Sequence, residues 1–203
     1  DFGMQLPASI LLMDVTGESD DPDGRGFTDG DPDSILTPIP GTLRRVPWAN
    51  DPLGQVLTTF YEEDGRATID DPRHVLAKVV EAFYDCKLQP VVACELEFYL
   101  IDKQRTDGGA PIPPIMPKSN IRMNSTQVFS ISEINEFSSF FNDISEACSV
   151  QSIPIGPISM EYSAGQMEVN LSHINDPVRA CDQSVMLQRI IRGVAISHGY
   201  EAT

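Results

Sequence analysis

Apolar and polar positions follow two different periods along the chain, and each period predicts a different kind of element. In the segment PVVACELEFYLID every second residue from Cys94 to Leu100 is apolar, while Glu95 and Glu97 fall between them. This alternation predicts a strand with one apolar and one polar face. The segment PISMEYSAGQMEVNLSH alternates on both sides of Ser163-Ala164-Gly165, which predicts a two-stranded hairpin.

Three other stretches repeat their apolar residues every three to four positions, which predicts amphipathic helices. The first runs from about 72 to 87 behind the start signal Asp71-Pro72, and its apolar residues are Val75, Val79, Ala82 and Phe83. The second is SEINEFSSFFNDISEACS, which is predicted to begin at a capping pair of Ser132 with Asn135 or Glu136. The third follows Asp176-Pro177.

The N-terminal region has a different character, because short apolar segments surround a loop rich in Asp and Gly. Strands are predicted at SILLMDV, SILTPIPGTLRRVPW and QVLTTFYEE. The predicted fold class is therefore α+β, with a small, mostly β domain over residues 1–68 and a second domain of strands and helices over residues 69–203.

The charge balance narrows the classes of partner. With 14 Lys+Arg against 30 Asp+Glu, the formal net charge is −16 and the pI is about 4.3. Such a chain lacks the basic face that nucleic acids need, and it has no apolar run long enough to span a bilayer. The four cysteines fit neither a zinc ribbon nor a disulfide scaffold, and no signal peptide is evident, so a reducing, cytoplasmic setting is expected.

The strand faces carry the candidate chemistry. Glu95 and Glu97 share one face of their strand, Glu168 lies on the polar face of the hairpin, and Glu161 lies across the turn from it. A solvated strand face is one interpretation, since charged residues are mostly exposed. If the polar faces converge, the four carboxylates form a cluster that suits the hard cations Mg²⁺ or Mn²⁺.

Several motifs resemble the glutamine synthetase family, in the family's order and over nearly the whole chain. They are the strand motif ACELEFYL, the hairpin motif EYSAGQMEVNL, the closing HGYEAT, the Asp70-Asp71-Pro72-Arg73 segment and PGTLRRVPW. The spacing from Glu161 to Glu168 and the SEINEF helix are most similar to the branch that joins glutamate to polyamines or other amines. The resemblance implies a β-grasp N-terminal domain followed by a catalytic domain with an antiparallel sheet.

The resemblance also implies an activity and a set of site residues. The activity is an ATP-dependent amide ligase, in which glutamate becomes a γ-glutamyl phosphate that ammonia or an amine attacks. Glu97, Glu161 and Glu168 would hold one Mg²⁺ or Mn²⁺ ion, and Glu95 would contribute to the ion between the phosphates. Asn170, Ser172 and His173 would border the nucleotide, and Asp14 would help to bind and deprotonate ammonium from a neighbouring subunit. The implied assembly is a homo-oligomer built from rings of six, often a dodecamer.

Two alternatives remain open at this point. Family members continue well beyond the position of Thr203, so the chain is expected to be the N-terminal portion of the fold and to be inactive in isolation. A non-catalytic scaffold or assembly protein that kept the fold is the competing hypothesis, although the retention of all four glutamates favours a ligase.

Overall fold

The structure is a computed structural model that describes residues 3–19, 21–26, 28, 30–125 and 127–203. The chain divides into two compact units, of which the first comprises residues 1–44 and 54–90 and the second residues 45–53 and 91–203. These units follow spatial contacts and cut the chain at other points than the predicted boundary after residue 68. That boundary between domains stays a prediction.

Short strands dominate the beginning of the chain. They are β1 (Met4–Pro7), β2 (Asp33–Pro38), β3 (Arg44–Arg45), β4 (Gly54–Gln55) and β5 (Thr58–Tyr61). One sheet has the order β1–β2–β5, and β3 pairs with β4. The α+β class is confirmed, whereas the β-grasp arrangement of this region stays a prediction.

The strand predicted at residues 9–15 is wrong. Ala8–Leu12 forms a 3₁₀ helix directly after β1. Pro7 pairs with Asp33, the first residue of β2, so the partner strand ends at this position. Without a neighbour to bond, the following residues satisfy their backbone groups locally.

The first helix, α1 (Pro72–Asp85), confirms the prediction from Asp71-Pro72. Its predicted apolar stripe is not a core face, however. Val75, Val79 and Phe83 are 49%, 48% and 41% exposed, and the buried residue of the helix is Val80. Helical periodicity thus identified the element but not the side that packs.

The second unit is built on a four-stranded antiparallel sheet with the order β7–β8–β6–β9. Its elements are β6 (Glu95–Asp102), α2 (Ile131–Glu136), α3 (Ser138–Gln151), β7 (Ile155–Met160), β8 (Gln166–Leu171), α4 (Pro177–Ser197) and β9 (Tyr200–Ala202). The strand, the hairpin and the final helix are confirmed. The sequence analysis did not predict β9, which is three residues long and follows α4 after two residues.

The helix predicted over SEINEFSSFFNDISEACS is two helices. The backbone leaves the helical range at the fully buried Phe137, with φ −94° and ψ 18°, and α3 begins after it. The predicted capping pair at Ser132 is also wrong. Ser130 caps α2, because its side chain accepts a hydrogen bond from the N–H of Glu133 at 3.3 Å.

The core of the second unit lies between the sheet and the helices α3 and α4. Its fully or almost fully buried side chains are Phe98, Leu100, Phe140, Ile144, Met160, Met167, Val169, Leu187 and Ile190. Each such side chain contributes about 1.5–3 kcal/mol of burial free energy. Within the described residues, no helix has the length and apolar character needed to cross a membrane.

A glycine near the C-terminal end of α4 makes room for a tryptophan of the same unit. A Cβ atom at Gly193 would lie 2.2 Å from Nε1 of Trp48. Glycine costs roughly 1 kcal/mol within a helix, so its presence here is explained by the close approach of the indole ring.

Gly193→Ala is therefore expected to destabilise the protein by about 1–3 kcal/mol, because the ring and the helix must move apart. Urea unfolding followed by Trp48 fluorescence measures this loss. The matched control is Gly108→Ala, where the nearest atom to an added Cβ is 3.9 Å away. Equal stability of the two variants would contradict the packing argument.

Asp71 is a buried carboxylate that caps α1 and ties it to β5. It accepts hydrogen bonds from the Thr59 hydroxyl at 2.6 Å and from the N–H groups of Phe60 and Arg73, each at 2.9 Å. Burial alone would raise the pKa of Asp71, but these hydrogen bonds hold it below the ordinary value of 3.8.

Asp71→Asn is expected to lower the free energy of unfolding at pH 7 by about 1–3 kcal/mol, since Asn accepts fewer of these bonds. Because the pKa is lower in the folded state, the contribution of Asp71 is complete above pH 3.8 and is lost as the pH falls below it. Urea unfolding from pH 7 to pH 3 should show the difference from the native protein shrinking.

The control for this change is Asp176→Asn at the start of α4. Asp176 is an exposed cap with a single bond from Arg179 N–H at 3.1 Å. We expect this variant to lose about 1 kcal/mol or less. A stability difference at Asp71 that stays constant on acidification would refute the assignment.

Candidate functional site

The pairing of β6 with β8 determines which polar residues share a face. In this register Glu97 is directly opposite Glu168, and Glu95 is directly opposite Asn170. Side chains of directly opposed residues in an antiparallel pair have Cβ atoms about 4.5–5.5 Å apart. The convergence of the two polar faces, which the sequence analysis set as a condition, is thus met at Glu97 and Glu168.

Glu161 joins these two residues from the other arm of the hairpin. Its N–H donates to the carbonyl of Gln166 at 3.0 Å, which continues the pairing of β7 with β8 towards the turn. The side chain is buried, and its Oε1 accepts a hydrogen bond from the Ser159 hydroxyl at 3.3 Å. Burial, the adjacent carboxyl group of Glu168 and the nearby charge of Glu97 raise the pKa of Glu161 above its ordinary value.

Gln166 is a site residue that the sequence analysis did not select, and it lies on the same face of β8 as Glu168. Its side-chain amide donates from Nε2 to Oε2 of Glu97 at 2.7 Å, and its Oε1 accepts from the N–H of Ser163 at 3.1 Å. The hairpin turn therefore orients the amide, and the amide orients the Glu97 carboxylate. The alternation of β8 indicated the shared face, but the partner of the amide depends on strand register.

The turn between β7 and β8 requires glycine at position 165. Gly165 has φ +82°, and a Cβ atom there would lie 2.5 Å from the carbonyl oxygen of Leu100. The hairpin turn therefore packs closely against β6, and this contact keeps Glu161 and Glu168 next to Glu97.

The carboxylates of Glu97, Glu161 and Glu168 suit a hard divalent cation, because such ions prefer carboxylate oxygens as ligands. A cation would also compensate the repulsion between these carboxylates. Among the described residues, however, no group of three His, Cys, Asp or Glu side chains is arranged to hold a metal ion. One oxygen of Glu97 is engaged by Gln166. The predicted metal site over Glu95, Glu97, Glu161 and Glu168 stays a prediction.

The residues predicted to border a nucleotide lie at the end of β8. Asn170 is half-buried and shares the face of the glutamates, and its side-chain oxygen is buried without a hydrogen-bond partner. Ser172 and His173 are exposed just beyond the strand. Their predicted role stays a prediction.

Asp14 belongs to the first unit, and its carboxylate closes a local turn. Oδ1 accepts from the Thr16 hydroxyl at 2.7 Å, from Thr16 N–H at 2.8 Å and from Glu18 N–H at 3.1 Å. The Thr16 hydroxyl is the main cause of a lowered pKa at Asp14. These bonds give Asp14 a structural role, and its catalytic role stays a prediction.

Comparison with known proteins supports the resemblance that the motifs indicated. The sequence profile of the glutamine synthetase catalytic domain matches residues 69–203. The gamma-glutamylputrescine synthetase PuuA of Escherichia coli (strain K12) is 39% identical over 203 residues, which cover 99% of this chain and 43% of that protein. A glutamate–isopropylamine ligase of a Pseudomonas species is 27% identical over 179 residues, which cover 88% of this chain and 38% of that protein.

Solved structures show the same fold. A complex of GmaS with ADP superposes with a TM-score of 0.73 at 21% identity, over 99% of this chain and 41% of that one. A glutamine synthase homologue gives a TM-score of 0.73 at 24% identity, over 99% of this chain and 43% of that one. The chain thus spans less than half the length of the relatives it matches.

The profile match covers well over half of the chain and includes all four candidate glutamates. The protein therefore belongs to the glutamine synthetase family.

Proposed function

We propose that this chain forms part of an ATP-dependent ligase that joins the side-chain carboxylate of glutamate to ammonia or an amine. The observation that carries the proposal is the opposition of Glu97 and Glu168 across β6 and β8, with Glu161 buried beside them. Such a like-charge group destabilises a fold unless a cation compensates it. Members of the family depend in general on ATP and a divalent metal.

In this proposal Glu97, Glu161 and Glu168 hold one Mg²⁺ or Mn²⁺ ion, and Glu95 contributes to a second. Bound divalent ions would neutralise the negative charge that collects when a phosphoryl group approaches a carboxylate. Gln166 keeps the Glu97 carboxylate turned towards the shared face. Asn170, with its unpartnered side-chain oxygen on the same face, is the candidate to contact the nucleotide.

An amine is our proposed acceptor. The names of two relatives, gamma-glutamylputrescine synthetase and glutamate–isopropylamine ligase, both specify an alkylamine. Ammonia remains the second candidate, because glutamine synthetases such as that of Thermotoga maritima also match, at 24% identity. Assembly into rings and a cytoplasmic location are further parts of the proposal.

One observation favours the alternative of a non-catalytic scaffold. Across the described residues, no three potential ligands are arranged to hold a metal ion. A scaffold would tolerate that arrangement permanently, whereas a ligase must rotate its carboxylates together when an ion binds. Metal binding and ADP release therefore distinguish the two functions.

Glu97→Gln is expected to weaken Mn²⁺ binding at least about tenfold and to abolish ADP release, because it removes a charged ligand. Free Mn²⁺ is measured by electron paramagnetic resonance. ADP release is measured in the full-length protein with glutamate, ATP, millimolar Mg²⁺ and ammonia, putrescine or ethanolamine.

The matched control is Glu146→Gln on the exposed side of α3, which should change neither quantity. Absence of ADP release with every amine in the native protein would refute the ligase proposal. Unchanged Mn²⁺ affinity in Glu97→Gln would refute the assignment of this ligand.

Glu161→Gln tests how much the cluster of Glu97, Glu161 and Glu168 destabilises the fold when no cation is bound. The change removes a buried like charge and supplies an amide that can donate to Glu168, so we expect a higher unfolding temperature in buffer that contains a chelator. In millimolar Mn²⁺ the native protein should have the higher unfolding temperature, because it gains stability from binding the ion and the variant does not. Thermal unfolding under both conditions measures this. A lower unfolding temperature for the variant in chelator would contradict the expected repulsion.

A further inference from the structure

The polar face of β6 continues past the glutamates to an aromatic side chain that the proposed function does not use. Tyr99 follows Glu97 by two residues on this strand, so the two side chains lie on the same face. Strand register places Tyr99 directly opposite Gln166 of β8. Tyr99 is 42% exposed, so a ligand on this face can reach its ring.

The neighbour of Tyr99 on its other side comes from the end of β9. Leu100 is paired with Ala202, and the N–H of Thr203 donates to the carbonyl of Tyr99 at 3.2 Å. The pairing of β6 with β9 therefore continues to Tyr99 and brings Thr203 beside it. Gln166, Tyr99 and Thr203 form an uncharged row across β8, β6 and β9, with the aromatic ring in the middle.

The side-chain amide of Gln166 is already engaged within the protein. Its Nε2 donates to Glu97 at 2.7 Å, and its Oε1 accepts from the N–H of Ser163 at 3.1 Å. The ring of Tyr99 is consequently the largest surface that the uncharged row offers to a ligand.

The position of this row along the face gives it a meaning in the ligase proposal. The residues that face each other across β6 and β8 form three rows, in the order Glu95 with Asn170, Glu97 with Glu168, and Tyr99 with Gln166. Successive rows are roughly 7 Å apart, because a strand rises about 3.4 Å per residue. In the proposal the nucleotide lies at the first row and a metal ion at the second. The third row thus lies at the end away from the nucleotide.

We propose that Tyr99 is a specificity-determining residue that contacts the carbon chain of the acceptor amine. The inference rests on the proposed ligase function. An aromatic ring buries methylene groups and attracts an alkylammonium ion, and ammonia has no carbon chain to bury. The carboxylates of Glu97, Glu161 and Glu168 together exceed the charge of one divalent ion, so the row next to Tyr99 still attracts the positive end of such a molecule.

The first test is the selectivity of the full-length protein among ammonia, ethylamine and butylamine, measured as kcat/KM for ADP release. In the native protein kcat/KM should rise with the length of the carbon chain. Tyr99→Ala should lower the ratio of butylamine to ammonia roughly tenfold, which is the discrimination that one or two methylene contacts supply. The value for ammonia should change by less than about twofold.

Two further variants separate a contact with the amine from a structural role. Tyr99→Phe retains the ring and should retain the ratio. Tyr84→Ala removes a tyrosine of similar exposure, 48%, from α1 and should leave the ratio unchanged. An equal loss with ammonia and butylamine in Tyr99→Ala would show a structural role and overturn the proposal, as would a native kcat/KM that does not depend on chain length.

Saturation-transfer NMR gives a second readout that needs no turnover. Irradiation of the aromatic protons of the full-length protein should transfer saturation to the methylene protons of butylamine. The transfer should persist in Tyr99→Phe and weaken strongly in Tyr99→Ala. Absence of transfer in the native protein, or equal transfer in Tyr99→Ala, would overturn the role of Tyr99 even where ammonia supports ADP release. Transfer that depends on Tyr99, in a protein that releases no ADP with any amine, would refute the ligase proposal alone.

Discussion

Repulsion between Glu97 and Glu168 is the constraint around which the polar face of the second unit is organised. Strand register places these carboxylates directly opposite each other, and like charges in that position destabilise a sheet. Two local features reduce the repulsion. The Gln166 amide donates to Glu97, and burial together with the neighbouring charges raises the pKa of Glu161, so that this carboxylate takes up a proton more readily than a free one. The remaining negative charge on this face is what the proposed cation would neutralise.

The apolar side of the same strands keeps this arrangement in place. Met167 and Val169 alternate with Gln166 and Glu168 and are fully buried. A shift of one residue in register would expose both and bury the carboxylate of Glu168. Packing on one side of β8 therefore determines the geometry on the other, and the site is carried by strands rather than by a loop.

The sequence predicted the features that depend on local period and local caps. The alternation in β6 and β8 identified Glu97 and Glu168 correctly as residues of a polar face, and Asp176 marked the start of α4. Features that depend on distant partners were missed. The bond from Gln166 to Glu97 requires knowledge of register, and the exposure of Val79 depends on what packs against α1. The strand predicted at residues 9–15 failed for the same reason, since β2 offers it no partner.

The contact between Trp48 and Gly193 has a consequence for biosynthesis. A ribosome adds roughly 5–20 residues per second, so the segment that carries Trp48 emerges several seconds or more before the part of α4 that contains Gly193. Residues 45–53 belong to the second unit, and they cannot complete their packing until Gly193 is available. Until then the indole belongs to an incompletely folded chain. Exposed aromatic surface in such a chain is prone to aggregation or to binding by chaperones. Packing around Trp48 is thus completed only after α4 has left the ribosome.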